Sequence, residues 1–182
     1  MVELIVVISI FSILAGVTLF NFSGFNSNIT LQNLANQIAL QIKTAQTDAI
    51  SGKLPSSFFP PNKPSFGVYF DISGGQNRDK FIYFADISNQ GYLSNGFNSV
   101  CGGASGNECL SQIMIQSGDL INKICVNGGT DCGNQILNVT FKRPFPDASF
   151  YYGNSANSSI SDAEIEIISK KGQMKTIIIR TT

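Results

Sequence analysis

Few residues of this chain have the type and spacing to do chemistry. Glu3 is the only ionisable side chain between Met1 and Ile42. It stands directly before Leu4–Phe20, a run that is apolar apart from two serines, a threonine and a glycine. A carboxylate held among packed apolar helices is costly unless a cation pairs with it, and the first cation in the chain is Lys43. Four cysteines, at 101, 109, 125 and 132, form the second group. None has the C-x2-C spacing of a zinc site and the chain has no histidine to complete one. An even count in Gly- and Asn-rich surroundings favours two disulfides, which belong outside the cytoplasm. Of three connectivities, Cys101–Cys109 with Cys125–Cys132 closes the smallest loops, each stabilising the fold by roughly 2–3 kcal/mol.

The other groupings are weaker. Asp71 to Asp79 and Asp86 to Gln90 carry oxygen side chains at short spacing, but they miss a calcium loop and read as turns. No metal site is expected. Lys170, Lys171, Lys175 and Arg180 read as a solvated turn and its flank. With 12 basic and 12 acidic side chains, there is no general basic field to hold nucleic acid by counterion release, and no specific nucleic-acid partner is expected. Without histidine the common triads and imidazole acid–base pairs cannot be built. The chain is therefore not expected to be an enzyme, and no cofactor is expected. Phe58, Phe59, Phe145 and Phe150, in a proline-rich context, read as core or strand-edge packing.

These residues must be positioned by two kinds of element. At 1.5 Å per residue, Leu4–Phe20 as a helix spans roughly 25 Å, close to the thickness of a bilayer's hydrocarbon. It lacks the basic start and cleavage site of a signal peptide and the polar stripe of a surface helix, so insertion in a membrane or equivalent apolar packing is expected. Asn21–Asn28, with Gly24 at its middle, is a polar break that should loosen the helix between Asn21 and Ser27; Asn28 or Thr30 could cap a restart. Leu31, Leu34, Ala35, Ile38, Ile42, Ala45 and Ala49 then recur at spacings of three and four, the mark of one buried helix face. Gly52 is the expected stop. The spacing thus predicts one helix from near Met1 to about Gly52.

After the proline-rich connection 55–65 the pattern becomes β. Strands are expected at Phe66–Ile72, Lys80–Ile87, Gln112–Gln116, Ile124–Val126, Gln135–Phe141, Ala163–Ser169 and Met174–Thr181. The last two should form a hairpin turned at Lys170–Gln173, and 89–106 should be a surface loop. The class is α+β with an antiparallel sheet. A hydrophobic segment, 1–28, precedes a globular unit, 29–182, made of the amphipathic helix 29–52 and the sheet region 65–182.

Residues 1–15, Met-Val-Glu-Leu-Ile-Val-Val-Ile-Ser-Ile-Phe-Ser-Ile-Leu-Ala, resemble the N-terminal segment of type IV pilins and type II secretion pseudopilins. Precursors in that family read Gly-Phe-Thr-Leu-Ile-Glu-Leu before an apolar run. Thr44–Gly52 is similar to the helix end in a subgroup whose sheet is built of paired hairpins. The glycine, phenylalanine and threonine have no counterpart here, and Glu3 stands two positions earlier than the family's glutamate. The numbered chain is therefore expected to begin inside the mature subunit. The family's helix-kinking proline is also missing. The resemblance implies a pilin-like fold, leader cleavage and N-terminal methylation by a prepilin peptidase, retention in the inner membrane, and then export by the pilus machinery into a homopolymeric surface filament for adhesion or motility. It places Glu3, Met1, Leu4 and Ile5 in the assembly contact, with Glu3 paired to a neighbour's N-terminal amine. The alternative within the family is a low-copy pseudopilin or minor pilin of a secretion or DNA-uptake machine. Low charge and an amide-rich helix surface favour the fibre subunit.

Overall fold

The structure, a computed structural model, describes residues 2–54, 63–99, 101–102, 107–145, 147–153, 155–156 and 160–181, with backbone alone at 18–25 and 155–156. Met1, Phe58 and Phe59 lie outside the described residues. Helix α1 runs without interruption over Val2–Ser51, so the loosening expected between Asn21 and Ser27 does not occur. Gly, Ser and Asn each lower helix propensity by only about 1 kcal/mol or less, and no proline precedes Pro55 to remove an N–H. Asn28 and Thr30 cap nothing. Both lie inside α1, where the Thr30 hydroxyl donates to the Ser27 carbonyl at 3.0 Å.

The helix stops where expected. Gly52 takes a left-handed φ of 65°. Its N–H bonds the Ala49 carbonyl at 3.2 Å, and the Lys53 N–H reaches back to the Asp48 carbonyl at 3.1 Å. These two bonds satisfy carbonyls that the last turn would otherwise leave free. From Leu31 to Ala49 the expected face is buried at every one of its seven positions.

Among the described residues the remaining chain forms two antiparallel sheets. The larger has the order β3-β2-β1-β5-β6-β7 and the smaller β4-β8-β9. Their ranges are β1 Ser65–Asp71, β2 Lys80–Asp86, β3 Cys109–Met114, β4 Leu120–Val126, β5 Ile136–Phe141, β6 Ala148–Tyr152, β7 Ser155–Ala156, β8 Asp162–Ile168 and β9 Met174–Arg180. All seven expected strands are present. Strands β6 and β7 were not expected; Ala148, Phe150 and Tyr152 alternate inward along β6. Phe150 is core, whereas Phe145 is 73% exposed and packs no core, contrary to the reading above.

Residues on one face of β1 and β2, such as Phe66, Val68, Phe70 and Phe81, join α1, β5 and β8 in a single core. The other face is not wet. Tyr69, Ile82 and Phe84 meet Leu93 and Cys109 in a second cluster. The described part of the loop after β2 lies at the surface, yet Leu93 within it is only 4% exposed and closes the outer face of the sheet. Alternation along a strand explains this, since neighbours such as Val68 and Tyr69 point to opposite faces.

One polar tie joins the end of α1 to the sheet. The Tyr83 hydroxyl donates to Asp48 Oδ2 at 2.5 Å, and Lys53 Nζ lies 2.6 Å from the same oxygen. Burial, and then the Asp48 carboxylate, push the Tyr83 phenol well above its ordinary value. A raised phenol contributes stability that is fully present below the unfolded value near 10 and is lost as pH rises past it. Tyr83→Phe should lower stability by about 1–2 kcal/mol at neutral pH. It should also make the loss above about pH 10 less steep, leaving the shares of Tyr69 and Tyr152, which burial raises likewise. Urea unfolding of the full chain in detergent, between neutral and alkaline pH, checks both outcomes.

Candidate functional site

The first third of α1, Val2–Val17, differs from its last third, Leu31–Ala49, in having no inner face. Eleven large apolar residues between Val2 and Val17 are exposed. Each would gain roughly 1–2 kcal/mol on burial. Their sum is comparable to the whole stability of an ordinary domain, so this surface is the largest unsatisfied demand in the molecule. The reason lies in the sequence. Apolar side chains occupy nearly every position of Leu4–Val17 rather than one stripe at helical spacing.

Of the expected assembly residues, Glu3 is exposed in the first turn, Leu4 is 66% and Ile5 63% exposed, and Met1 lies outside the described residues. Nothing in the described chain brings these residues against another element, and among the described residues no cation pairs with Glu3. Among the described residues no helix is long and apolar enough to cross a membrane.

Further down α1 the outward surface is uncharged as far as Lys43. Gln32, Asn33, Asn36 and Gln37 are exposed, and Gln32 Nε2 donates to Asn36 Oδ1 at 2.9 Å. Lys175 of β9 bonds the Gln32 amide oxygen at an exposed position, which ties one member of the basic cluster to the helix. Lys170 and Lys171 stand exposed in the turn from Lys170 to Gln173, which is closed by the Ser169 N–H to the Gln173 carbonyl at 2.8 Å. A groove of about 290 Å³ runs between α1 at Ala39, Ile42 and Gln46 and strand β9 at Ile177–Arg180.

Both disulfides have the expected connectivity, with Cα separations of 4.6 Å for Cys101–Cys109 and 4.1 Å for Cys125–Cys132. The first belongs to a fastening that sequence reasoning missed. Asp86, read as turn chemistry, accepts the Gln90 N–H at 3.0 Å and the Gly91 N–H at 2.8 Å. Glu108 accepts the Ser88 hydroxyl at 2.7 Å, the Ser94 hydroxyl at 2.9 Å and both residues' N–H groups. Two buried carboxylates thus hold the 87–99 segment against the outer sheet face. The available signal was an acidic residue directly before a cysteine at 108–109, which is too common to single out. Asp71, also read as a turn residue, accepts the Ser73 N–H at 2.8 Å. Among the described residues no group of three or more side chains could hold a metal ion.

The segment pinned in this way walls a cavity of about 500 Å³ with β1 and the start of β5. Four aromatic rings line it in two pairs. Tyr92 and Tyr151 have centroids 4.6 Å apart, and Tyr69 and Phe97 5.4 Å apart.

Asp86 titrates in a way that tests the fastening. Burial pushes its carboxyl above the usual range, the Gly91 and Gln90 N–H groups pull it partly back, and the Glu108 carboxylate pushes it up again. A raised carboxyl contributes stability that is fully present below the unfolded value near 4 and is lost as pH rises through the folded one. Asp86→Asn should therefore flatten the decline in urea midpoint between about pH 4 and neutrality. Asp86→Ala leaves two backbone N–H groups without an acceptor and should cost about 2–4 kcal/mol at neutral pH. In comparisons with protein-family models, curated proteins and solved structures, none matches this chain.

Proposed function

We propose that this chain is the structural subunit of an extracellular, type IV pilus-like filament that serves adhesion or motility and polymerises through its N-terminal helix. One observation carries the reading. A single unbroken helix, Val2–Ser51, is bare and apolar around its whole circumference in its first third and is a core element of a disulfide-bonded domain in its last third. A helix with that division needs apolar cover from outside its own chain. Copies of the same helix supply it without exposing any other surface, and lipid supplies it before assembly.

Glu3 gives the packing a register. Buried among neighbouring helices, its carboxylate requires a cation. Within the chain the nearest candidate in sequence is Lys43, about 60 Å away along the helix. The N-terminal amine of an incoming copy is the charge that can reach it. Leu4 and Ile5 beside it supply packing. The inner membrane, a prepilin peptidase and the assembly machinery are the partners this reading entails. Dense lateral packing is further supported by the uncharged amide surface of α1 between Gln32 and Gln41.

Glu3→Gln removes the charge and keeps the shape. Breaking a buried pair by losing one member costs about 3–5 kcal/mol, so fibre yield should fall by two orders of magnitude or more. The disulfide-bonded domain should keep its unfolding midpoint. Leu4→Ala should be milder, since it removes one packing contact and no charge. Electron microscopy of surface fibres, with the chain identified in them by mass spectrometry, reads the outcome. Fibres of normal length and number from the Glu3 variant would refute the pairing. A wild-type chain that stays at low copy in the membrane and enters no fibre would replace the subunit reading with the pseudopilin one.

A further inference from the structure

We propose that the cavity on the outer face of the larger sheet binds a neutral sugar unit of one or two rings. The cavity faces away from α1, because Tyr69 and the second core cluster lie on the strand face opposite Val68 and Phe70. Its volume of about 500 Å³ lies within the range of small-ligand sites.

The lining has two chemistries in one place. The half-buried Tyr92 and Tyr151 rings offer aromatic surface, which suits the C–H face of a pyranose. Around them Asp71, Asn77 and Asn98 offer a carboxylate and amides, the groups that accept from and donate to adjacent hydroxyls. Asp71 Oδ2 already accepts the Tyr69 hydroxyl at 3.0 Å. A carboxylate oxygen has capacity for a second donor. Among the described residues no cation lines the cavity, and the Asp71 carboxylate would repel an anion. The ammonium of Lys80, close by, is already engaged 4.9 Å over the Phe97 ring. A phosphate, a nucleic acid or an acidic sugar is therefore disfavoured, and a purely apolar ligand would strand the amides.

The walls are fixed before any ligand arrives. Gly96 has a φ of 50°, and a Cβ there would lie 2.8 Å from the Tyr69 hydroxyl oxygen, so only glycine lets the loop come so close to that ring. Asn138, buried in β5, accepts the Leu93 N–H at 3.0 Å. Asp86, Glu108 and the Cys101–Cys109 bridge hold the rest. A loop ordered in advance loses little entropy on binding, so a shallow site of this kind can hold a weak ligand.

The test uses the full chain in a detergent without a sugar headgroup. Galactose, N-acetylglucosamine, lactose and N,N′-diacetylchitobiose are offered at about 10 mM, a level suited to millimolar affinity, and saturation-transfer NMR reads contact. At least one sugar should receive saturation on its ring C–H protons, and sialyllactose should receive less. Tyr92→Ala and Tyr151→Ala should each weaken binding at least about tenfold, whereas Tyr151→Phe should bind like the wild type. Asn98→Ala, at an exposed side chain, repeats the test should an alanine variant of a tyrosine fail to fold. Absence of transfer to all four neutral sugars would overturn the proposal. So would transfer that survives unchanged in the folded variants. Binding by the monomer does not require polymerisation, so this outcome is independent of the filament reading.

Discussion

The buried face of α1 is the seam between the two sheets. Leu31, Leu34, Ala35, Ile38, Ile42, Ala45 and Ala49 share one core with residues of β1, β2 and β5 from the larger sheet and of β4 and β8 from the smaller. The smaller sheet must bury its apolar face against another element, and α1 with the larger sheet provides it. Its inward isoleucines, Ile165 and Ile167, are fully buried. Arg78 ties the two sheets by a polar route: its Nε donates to the Ile121 carbonyl and its guanidinium to Asn122 Oδ1, both at 2.8 Å. Asn122 in turn donates to Glu166 at 2.5 Å. The small residues Ala35, Ala45 and Ala49 on the seam let the helix lie close to the strands, while the isoleucines and leucines fill the space between them.

That arrangement leaves the opposite face of the larger sheet in need of its own cover. Tyr69, Ile82 and Phe84 point outward from it, and a loop with one buried leucine, Leu93, meets them. Such a small apolar contact would hold a loop of this length weakly. The two buried carboxylates and the nearby disulfide add directional constraint where apolar area is scarce. Burying Asp86 beside Glu108 is unfavourable in itself, and the raised Asp86 carboxyl records it. The N–H and hydroxyl donors of Ser88, Gln90, Gly91 and Ser94 offset that penalty.

The two proposed activities use opposite sides of one scaffold. In a filament built through α1, the helix side is consumed by contacts between copies. The outer sheet face, with its aromatic cavity, stays turned toward the surroundings. One fold serves both: Val2–Val17 continues the helix packed in the core without a break, and the loop fastened by Asp86 and Glu108 walls the cavity.

The sequence by itself determined the parts governed by short-range geometry. The 3.6-residue recurrence from Leu31 to Ala49 is a property of one helix and reads correctly without any partner. The same is true of the left-handed stop at Gly52, the alternation Glu164, Ile165, Glu166, Ile167 in β8, and cysteine pairs only seven and eight residues apart. Glu3 was conspicuous because a lone carboxylate beside an apolar run conflicts with its surroundings. Only the tertiary structure decided where local signals were weak or misleading. Strand β6 forms because β5 offers it an edge, against the turn-like composition around it. The carboxylates of Asp86 and Glu108 meet across twenty-two positions, and the aromatic cavity joins Tyr69, Tyr92 and Tyr151 from segments far apart in the chain. No local period encodes such a meeting. It arises only when the strands take their register and the loop folds back over them.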